Sequence, residues 1–361
     1  MIFLAKIIYG IQSDGLGHYA RSKVVIDFLL NEGHEVKVLT ADRVYKLMKE
    51  HYDVEEISRI SFVYKNNRVN YTRTIYKNFV AFPAIIKNGL RKTSKIFKEF
   101  QPDLVISDFE YFSTKIASRN SVPIISIDNI HSLTRTNAPS YVKKKYKMIE
   151  TEQKSLLKIL SPRSKYFMHY FIVSFFDAKP NRIKTTVIPP LIRDCIIESS
   201  TAEINNHILV YQTSKTNKKL FPALKEVSKE KFIVYGFDEA KIDQNLVFKK
   251  TSGGDTFLKD LSTAKAVITN GGFSLMSESV FLHKPVLSNP VSGQFEQIMN
   301  ATMLENNGYG MFAKRISSDN IKLFLRNLDN YKSNLENYKQ QDNSEALSKI
   351  NSKIEEILNN S

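Results

Sequence analysis

The sequence predicts an α/β protein of two doubly wound parallel-sheet domains, and three observations support this. At 361 residues the chain is longer than one hydrophobic core usually serves, so two domains of ~150–190 residues are expected. Its opening reads as a strand (Lys6 to Gln12), a glycine-bearing turn (Ser13 to His18), a helix (Tyr19 to Asn31) and a second strand (Glu35 to Thr40), the first unit of such a sheet. The same punctuation returns late in the chain. The apolar run Ala266 to Ile268 stops at Thr269-Asn270-Gly271-Gly272, and an evenly apolar stretch, Leu275 to Leu282, follows as a buried helix.

Composition narrows the class. With 42% hydrophobic residues the chain is globular, and a single cysteine, Cys195, excludes both a disulfide framework and a cysteine-rich metal site, which suits a reducing cytoplasm. The N-terminal run MIFLAKIIYGIQ breaks at Lys6 and lacks a basic leader, so it reads as a strand rather than a signal peptide. No apolar stretch approaches the ~20 residues that span a bilayer; the longest, Tyr166 to Phe176, is interrupted by His169 and Ser174. A soluble, cytoplasmic protein is expected. The formal charge of +15 suits an anionic membrane surface, a nucleic acid or a polyanionic substrate.

In the first domain Val24, Val25, Phe28 and Leu29 form the apolar face of the first helix. The segment 57–98 has no acidic residue. It interleaves cations from Arg59 to Lys98 with Phe62, Tyr64, Tyr71, Tyr76, Phe79, Phe82 and Phe97. A solvated basic face explains this pattern, as does an interfacial patch on anionic lipid, where each cation contributes ~1 kcal/mol, or a single-stranded nucleic-acid surface. Strands at Asp103 to Ser107 and Pro123 to Asp128 flank a helix at Tyr111 to Arg119. A lysine-rich helix, Ser140 to Leu160, precedes strands at Tyr166 to Phe176 and Thr186 to Ile188. Pro189-Pro190 breaks regular structure and opens the passage to a second domain, giving boundaries of 1–190 and 191–340. The second sheet is expected at His207 to Gln212, Lys231 to Tyr235, Leu246 to Phe248, Ala266 to Ile268 and Pro285 to Ser288. The tail from Ile316 is polar and helical in pattern.

The late glycine turn is the candidate site. Adjacent glycines let backbone approach a ligand, and the helix after them turns its N–H groups and positive dipole end to the same place, a seat for a diphosphate. Glu278, further along that helix, suits a ribose diol, and Gln294, Glu296 and Gln297 beyond the next strand suit sugar hydroxyls. Each residue alone is as easily an ordinary turn or surface residue; their joint spacing points to a nucleotide sugar.

TNGGFSLMSESV, followed by KPVL, Pro290 and EQIMNA, resembles the donor-binding segment of GT-B glycosyltransferases, the group that includes UDP-glycosyltransferases and the lipid II N-acetylglucosaminyltransferase. The motifs GLGH, DNxH (Asp128 to His131), SFF, PPLIR, NGGFS and GQFEQ resemble a little-studied branch of the same superfamily. The resemblance implies two Rossmann-like domains facing a central cleft, with a last helix, 341–361, crossing back onto the first. It implies inverting, metal-independent transfer from a nucleoside-diphosphate sugar, UDP-linked by default, to an acceptor hydroxyl, with no cofactor. It adds Asn270, Phe273 and Ser274 to the donor site. A UDP-glycosyltransferase has His at Asn270 and Trp at Phe273, so base and sugar do not carry over; Phe248 and Lys249 are placed to meet a base through their backbone.

In the first domain Gly15 and Gly17 make room for a ligand, and His18 is the candidate general base, with an unperturbed imidazole suited to neutral pH. Asp108, after the strand DLVIS, is implied to orient it, with Glu110 competing for that role. Arg193 is implied to face the donor diphosphate and Ser214 to add a hydroxyl. Arg21 is either a second phosphate contact or a surface cation. The basic segment favours a lipid or lipid-linked acceptor and peripheral attachment to the inner face of a membrane. Two rivals stand beside this reading. Nucleotide-sugar hydrolases share a GxGHxxR turn, matched by Gly15, Gly17, His18 and Arg21; a nucleic-acid-binding or DNA-modifying protein would use the basic segment.

Overall fold

Strands with both faces covered by helices read as near-continuous apolar runs, and KIIYGI, ILVY, FIVY and AVIT do so here, with almost every residue buried. The structure is a computed structural model. It describes residues 4–360 except 14, 61–63, 66–67, 70–72, 74–75, 77–79, 81–82, 138, 162–163, 201, 213–218, 238 and 251–253. The chain divides into two compact units: Met1–Val63 with Asn70–Leu191 and Asn343–Ser361, and Tyr64–Val69 with Ile192–Asp342.

The first unit runs β1 (Lys6–Ile11), α1 (Leu16–Asn31), β2 (Glu35–Thr40), α2 (Asp42–Met48) and β3 (Asp53–Glu56). The two-stranded hairpin β4 (Tyr64–Lys65) and β5 (Arg68–Val69), grouped with the second unit, follows in the chain. The first unit resumes with α3 (Pro83–Phe100), β6 (Leu104–Asp108), α4 (Tyr111–Arg119), β7 (Ile124–Asp128), α5 (Ser132–Arg135), α6 (Ser140–Leu160), β8 (Phe167–Val173) and β9 (Thr185–Ile188). Its seven strands lie in the order β3-β2-β1-β6-β7-β8-β9, all parallel.

The second unit continues with α7 (Asp194–Glu198), β10 (Ile208–Tyr211), α8 (Leu220–Lys225), β11 (Phe232–Tyr235), β12 (Lys241–Asp243), β13 (Leu246–Phe248), α9 (Gly254–Thr263), β14 (Ala266–Thr269) and α10 (Phe273–Phe281). After these come β15 (Val286–Ser288), α11 (Phe295–Asn306), β16 (Gly310–Phe312), α12 (Ser318–Arg326) and α13 (Leu328–Leu335). Its sheet has the order β12-β13-β11-β10-β14-β15-β16, parallel except for β12 against β13. A final helix, α14 (Ser344–Asn359), returns to the first unit, where it packs on β8 and β9.

Strand order reverses between β1 and β6 in one sheet and between β10 and β14 in the other. Ligands of open α/β sheets bind beyond the carboxyl ends of strands at such reversals. Both candidate turns of the sequence, the one before α1 and the one before α10, leave the sheet at these two places.

The structure differs from the sequence reading in several elements. Helix α1 starts at Leu16, so His18 sits in its first turn rather than in the loop before it, and Phe28 is only half-buried. The edge strand β3 (DVEE) and the three-residue β16 were not expected. Part of the basic segment is the amphipathic helix α3, which buries Ile96, Phe97 and Phe100; Phe97 is therefore core rather than an interfacial aromatic. Gly89 is needed there because a Cβ would lie 2.4 Å from the Phe112 ring. Phe62, Tyr71, Lys77, Phe79 and Phe82 lie outside the described residues. Among the described residues no helix is long and apolar enough to cross a membrane.

Candidate functional site

At the reversal of the first sheet, β1 and β6 run side by side with Ile11 opposite Asp108. Gly15, with φ +106°, is the N-cap of α1; nothing stands where a Cβ would be, and the backbone sign alone favours glycine. One turn into the helix, His18 Nδ1 stands 2.8 Å from Asp108 Oδ1. The same carboxylate accepts from Arg21 Nε and Nη2, each at 2.6 Å, and from Ser22 Oγ at 3.2 Å. Asp108 is fully buried, whereas the His18 side chain keeps 13% of its surface, and its Nε2 has no hydrogen bond among the described residues. Burial alone would raise the Asp108 carboxyl, but Arg21 and His18 outweigh it and hold it below the ordinary carboxylate range.

Two sequence expectations change here. Glu110 is not a rival for His18: its oxygens accept from the backbone N–H groups of Phe112 and Ser113 at 2.8 and 2.6 Å, capping α4, and burial raises its carboxyl. Arg21 is not a surface cation. It is buried and forked onto Asp108, a partner 87 residues away that no local pattern announces.

A second aspartate–histidine pair closes the neighbouring strand. His131 Nδ1 lies 2.6 Å from Asp128 Oδ2, which also accepts from Ser126 Oγ at 2.6 Å, while Asp128 Oδ1 accepts from the His131 backbone N–H at 2.7 Å. His131 Nε2 meets Ser161 Oγ, at the end of α6, at 2.9 Å. Burial would raise the Asp128 carboxyl, but His131 and the hydrogen bonds bring it down to about 2.

At the reversal of the second sheet, β14 ends in Asn270-Gly271-Gly272 and α10 begins. Asn270 Nδ2 donates to Gln212 Oε1, just past β10, at 2.8 Å, and to the Asn289 carbonyl at 3.3 Å. Gly271 has φ +108°, and a Cβ on it would sit 2.9 Å from Ser288 Oγ; its carbonyl accepts from Asn300 Nδ2 at 3.2 Å. Gly271 is thus required by the fold. Gly272 differs: its φ of −63° suits any residue, it is exposed, and among the described residues no atom stands within 4 Å of a Cβ position, so they leave the mouth of α10 open there.

Phe273, the first residue of α10, is buried and Ser274 half-buried. Glu278 and Arg193, assigned by the sequence reading to ribose and to phosphate, are bonded to each other. Arg193 Nε donates to Oε1 at 2.7 Å and Nη2 to Oε2 at 2.8 Å, with the Glu278 side chain only 5% exposed. Gln294 is the N-cap residue of α11; Gln294, Glu296 and Gln297 are half-buried, and Gln297 Oε1 accepts from the Val291 N–H at 2.9 Å. Phe248 is a core residue packed edge-on to Phe221, and the Lys249 N–H is bonded to the Val234 carbonyl. Ser214 lies outside the described residues. Sequence reasoning passed over Gln212, Ser288 and Asn300. Their signal was a polar residue closing or following an apolar strand, visible at Gln212 after ILVY. Gln212 Nε2 and Ser288 Oγ are buried and have no hydrogen-bond partner among the described residues. Among the described residues no cluster of His, Cys, Asp or Glu is arranged to hold a metal ion.

Residues 5–329 match the family model described as glycosyl transferase family 1. The chain belongs to that family. This glycosyltransferase is 26% identical over 331 residues to an uncharacterized glycosyltransferase of Methanosarcina acetivorans, with 84% of each chain covered. Among solved structures it is similar in fold to the glycotransferase of kitacinnamycin, with a TM-score of 0.68 at 14% identity, covering 98% of this chain and 100% of that one. It is similar also to Phytolacca americana UGT2 complexed with UDP-2fluoro-glucose and pterostilbene, with a TM-score of 0.65 at 14% identity and the same coverage. The enzyme is therefore a transferase of α/β, GT-B type.

Proposed function

We propose that this glycosyltransferase moves a sugar from a nucleoside-diphosphate sugar, UDP-linked by default, to an acceptor hydroxyl with inversion and without a metal ion. The observation that carries the reading is the imidazole of His18, anchored at Nδ1 by a fully buried carboxylate while Nε2 has no bond within the described protein. In the proposed reaction Nε2 takes the hydroxyl proton as the acceptor oxygen bonds to the anomeric carbon, and Asp108 steadies the resulting imidazolium. The open head of α10 at Gly272 receives the leaving diphosphate, whose charge its N–H groups and dipole offset. The Arg193–Glu278 pair acts as one unit beside the donor, with Gln294 and Glu296 for sugar hydroxyls. A UDP-sugar in the similar Phytolacca structure supports the donor class.

The acceptor proposed is a lipid or lipid-linked glycan at an anionic membrane surface. The cationic face of α3 and the exposed Tyr76 and Val80 support this choice. The test is a panel of nucleotide sugars with acceptor extracts, followed by mass spectrometry of the product, its anomeric configuration by NMR, and repetition in chelator. Rapid release of free sugar without acceptor would identify a hydrolase instead. Flotation with vesicles of rising anionic lipid content tests the membrane part, and binding indifferent to lipid charge would remove it.

A further inference from the structure

Helix α6 and the loop between β8 and β9 carry a basic surface with apolar tips. From 129 to 149, and again from 178 to 193, the chain has no acidic residue. On α6, Val142, Glu150, Gln153 and Leu157 are buried, whereas Tyr141, Lys144, Lys145, Lys147 and Met148 are exposed. Helical spacing sets Tyr141, Lys144 and Lys145 on one face, and beyond a bend at Tyr146 (φ −120°, ψ 23°) Met148 is again in solvent. Tyr141 is 52% and Met148 67% exposed. The loop adds exposed Lys179, Arg182 and Lys184 around Ile183, which at 87% is the most exposed large apolar side chain among the described residues. Hydrogen bonds pin that loop beside the approach to α6. The Asn137 N–H donates to the Lys179 carbonyl at 3.1 Å, the Asn181 N–H to the Arg135 carbonyl at 2.9 Å, and Arg135 Nη1 to the Ile183 carbonyl at 3.3 Å. At most ~14 Å of extended chain separates Asn137 from Tyr141.

One exposed apolar side chain needs no cause. Three among six exposed cations do, because those cations have no counter-charge at hand. The ion pair on α6 is Lys154–Glu150, further along the helix, and none of the six forms one among the described residues. On α3, by contrast, Lys92 and Lys95 each stand 3.6 Å from a glutamate, Glu55 and Glu99. Uncompensated charge is drawn to an anionic surface, where apolar tips enter the interface and lysine stems lie along it. Single-stranded nucleic acid asks for several aromatic rings to stack on, and Tyr141 is the one such ring among the three tips. We propose that the exposed face of α6 and the Lys179–Lys184 loop seat the enzyme on an anionic lipid surface, with Met148 and Ile183 entering the acyl boundary. This seat is distinct from α3, on which the membrane part of the proposed function was placed, and it needs no transfer reaction.

The chain has no tryptophan, so Met148→Trp in the full-length protein supplies a single indole reporter. On vesicles of phosphatidylcholine with rising phosphatidylglycerol its emission should move to the blue, and added salt should reverse the shift. Vesicle-bound protein with unshifted emission overturns the seat. Should that variant fail to fold, Ile183→Trp is read in the same way. In flotation, Lys144→Gln, Lys145→Gln and Lys147→Gln together should weaken partition onto anionic vesicles about a hundredfold, roughly fivefold per cation; unaltered partition overturns the seat. A matching triple on α3, Lys87→Gln with Arg91→Gln and Lys98→Gln, separates the two readings. Partition lost in the α3 triple but kept in the α6 triple refutes the seat on α6 and leaves the membrane part of the proposed function in place; the reverse supports α6. Wild-type binding to single-stranded DNA but not to vesicles removes both.

Discussion

Asp108–His18 and Asp128–His131 close adjacent strands of one sheet with the same two residue types and nearly the same Nδ1 to carboxylate contact, 2.8 and 2.6 Å. They differ in what surrounds the pair. Among the described residues Asp128 accepts from Ser126 and His131 alone, and both ring nitrogens of His131 are bonded, one of them to Ser161, while the ring lies edge-on to Phe109 and Tyr170. Asp108 shares its charge with a buried guanidinium, and the outer nitrogen of His18 has no bond within the described protein. The second pair ties α6 to the end of β7; the first leaves its outer ring nitrogen unbonded among the described residues. An aspartate–histidine contact alone therefore does not separate the two pairs; what the other ring nitrogen meets does.

The largest contrast should appear in turnover. His18→Gln is expected to lower kcat by about 10²–10⁴, whereas His131→Gln should leave kcat unchanged and lower the melting temperature; equal losses of kcat would abolish the distinction. Next in size, Asp108→Asn removes the buried charge onto which Arg21 forks and beside which His18 stands, and urea unfolding should show a loss of about 3–5 kcal/mol.

Asp128→Asn should cost less, on the order of 2 kcal/mol at neutral pH, from a carboxyl lowered from 3.8 to about 2 at ~1.4 kcal/mol per unit. The sign follows from linkage. A lowered carboxyl stabilises the fold fully above its unfolded value and loses that contribution as pH falls through the folded one. The gap between wild type and Asp128→Asn should therefore close between pH 4 and 2, and a gap that stays constant would assign the effect to packing. Smallest of all, Ser161→Ala should cost ~1 kcal/mol, one hydrogen bond, with activity untouched.

Much of the fold was legible from apolar periodicity and punctuation. Helices Tyr111–Arg119 and Ser140–Leu160 and strands Glu35–Thr40 and Leu246–Phe248 have the bounds read from sequence. Strand β3 was not legible because DVEE is a half-exposed edge with no apolar alternation, and β16 because three residues carry no period. At the site, Asp108 and His18 were named by resemblance, but the choice of Asp108 over Glu110 needed the direction of each carboxylate. The Arg21–Asp108 and Arg193–Glu278 forks join residues 87 and 85 positions apart. Pairings at that distance are made by the sheet order and leave no local trace, so neither fork could be read from the basic residue and its chain neighbours.

Helix α14 is the last regular element of the chain and belongs to the unit made first. It buries Ile350, Ile354 and Ile357 and packs on β8 and β9, where His169 bonds Thr186. On the ribosome, the faces of β8 and β9 that it covers stay bare while Ile192–Asp342 of the second unit is synthesised. A stop codon before residue 343 would thus injure the nascent N-terminal half rather than the half it appears to shorten, leaving an apolar surface open to chaperones and to other chains.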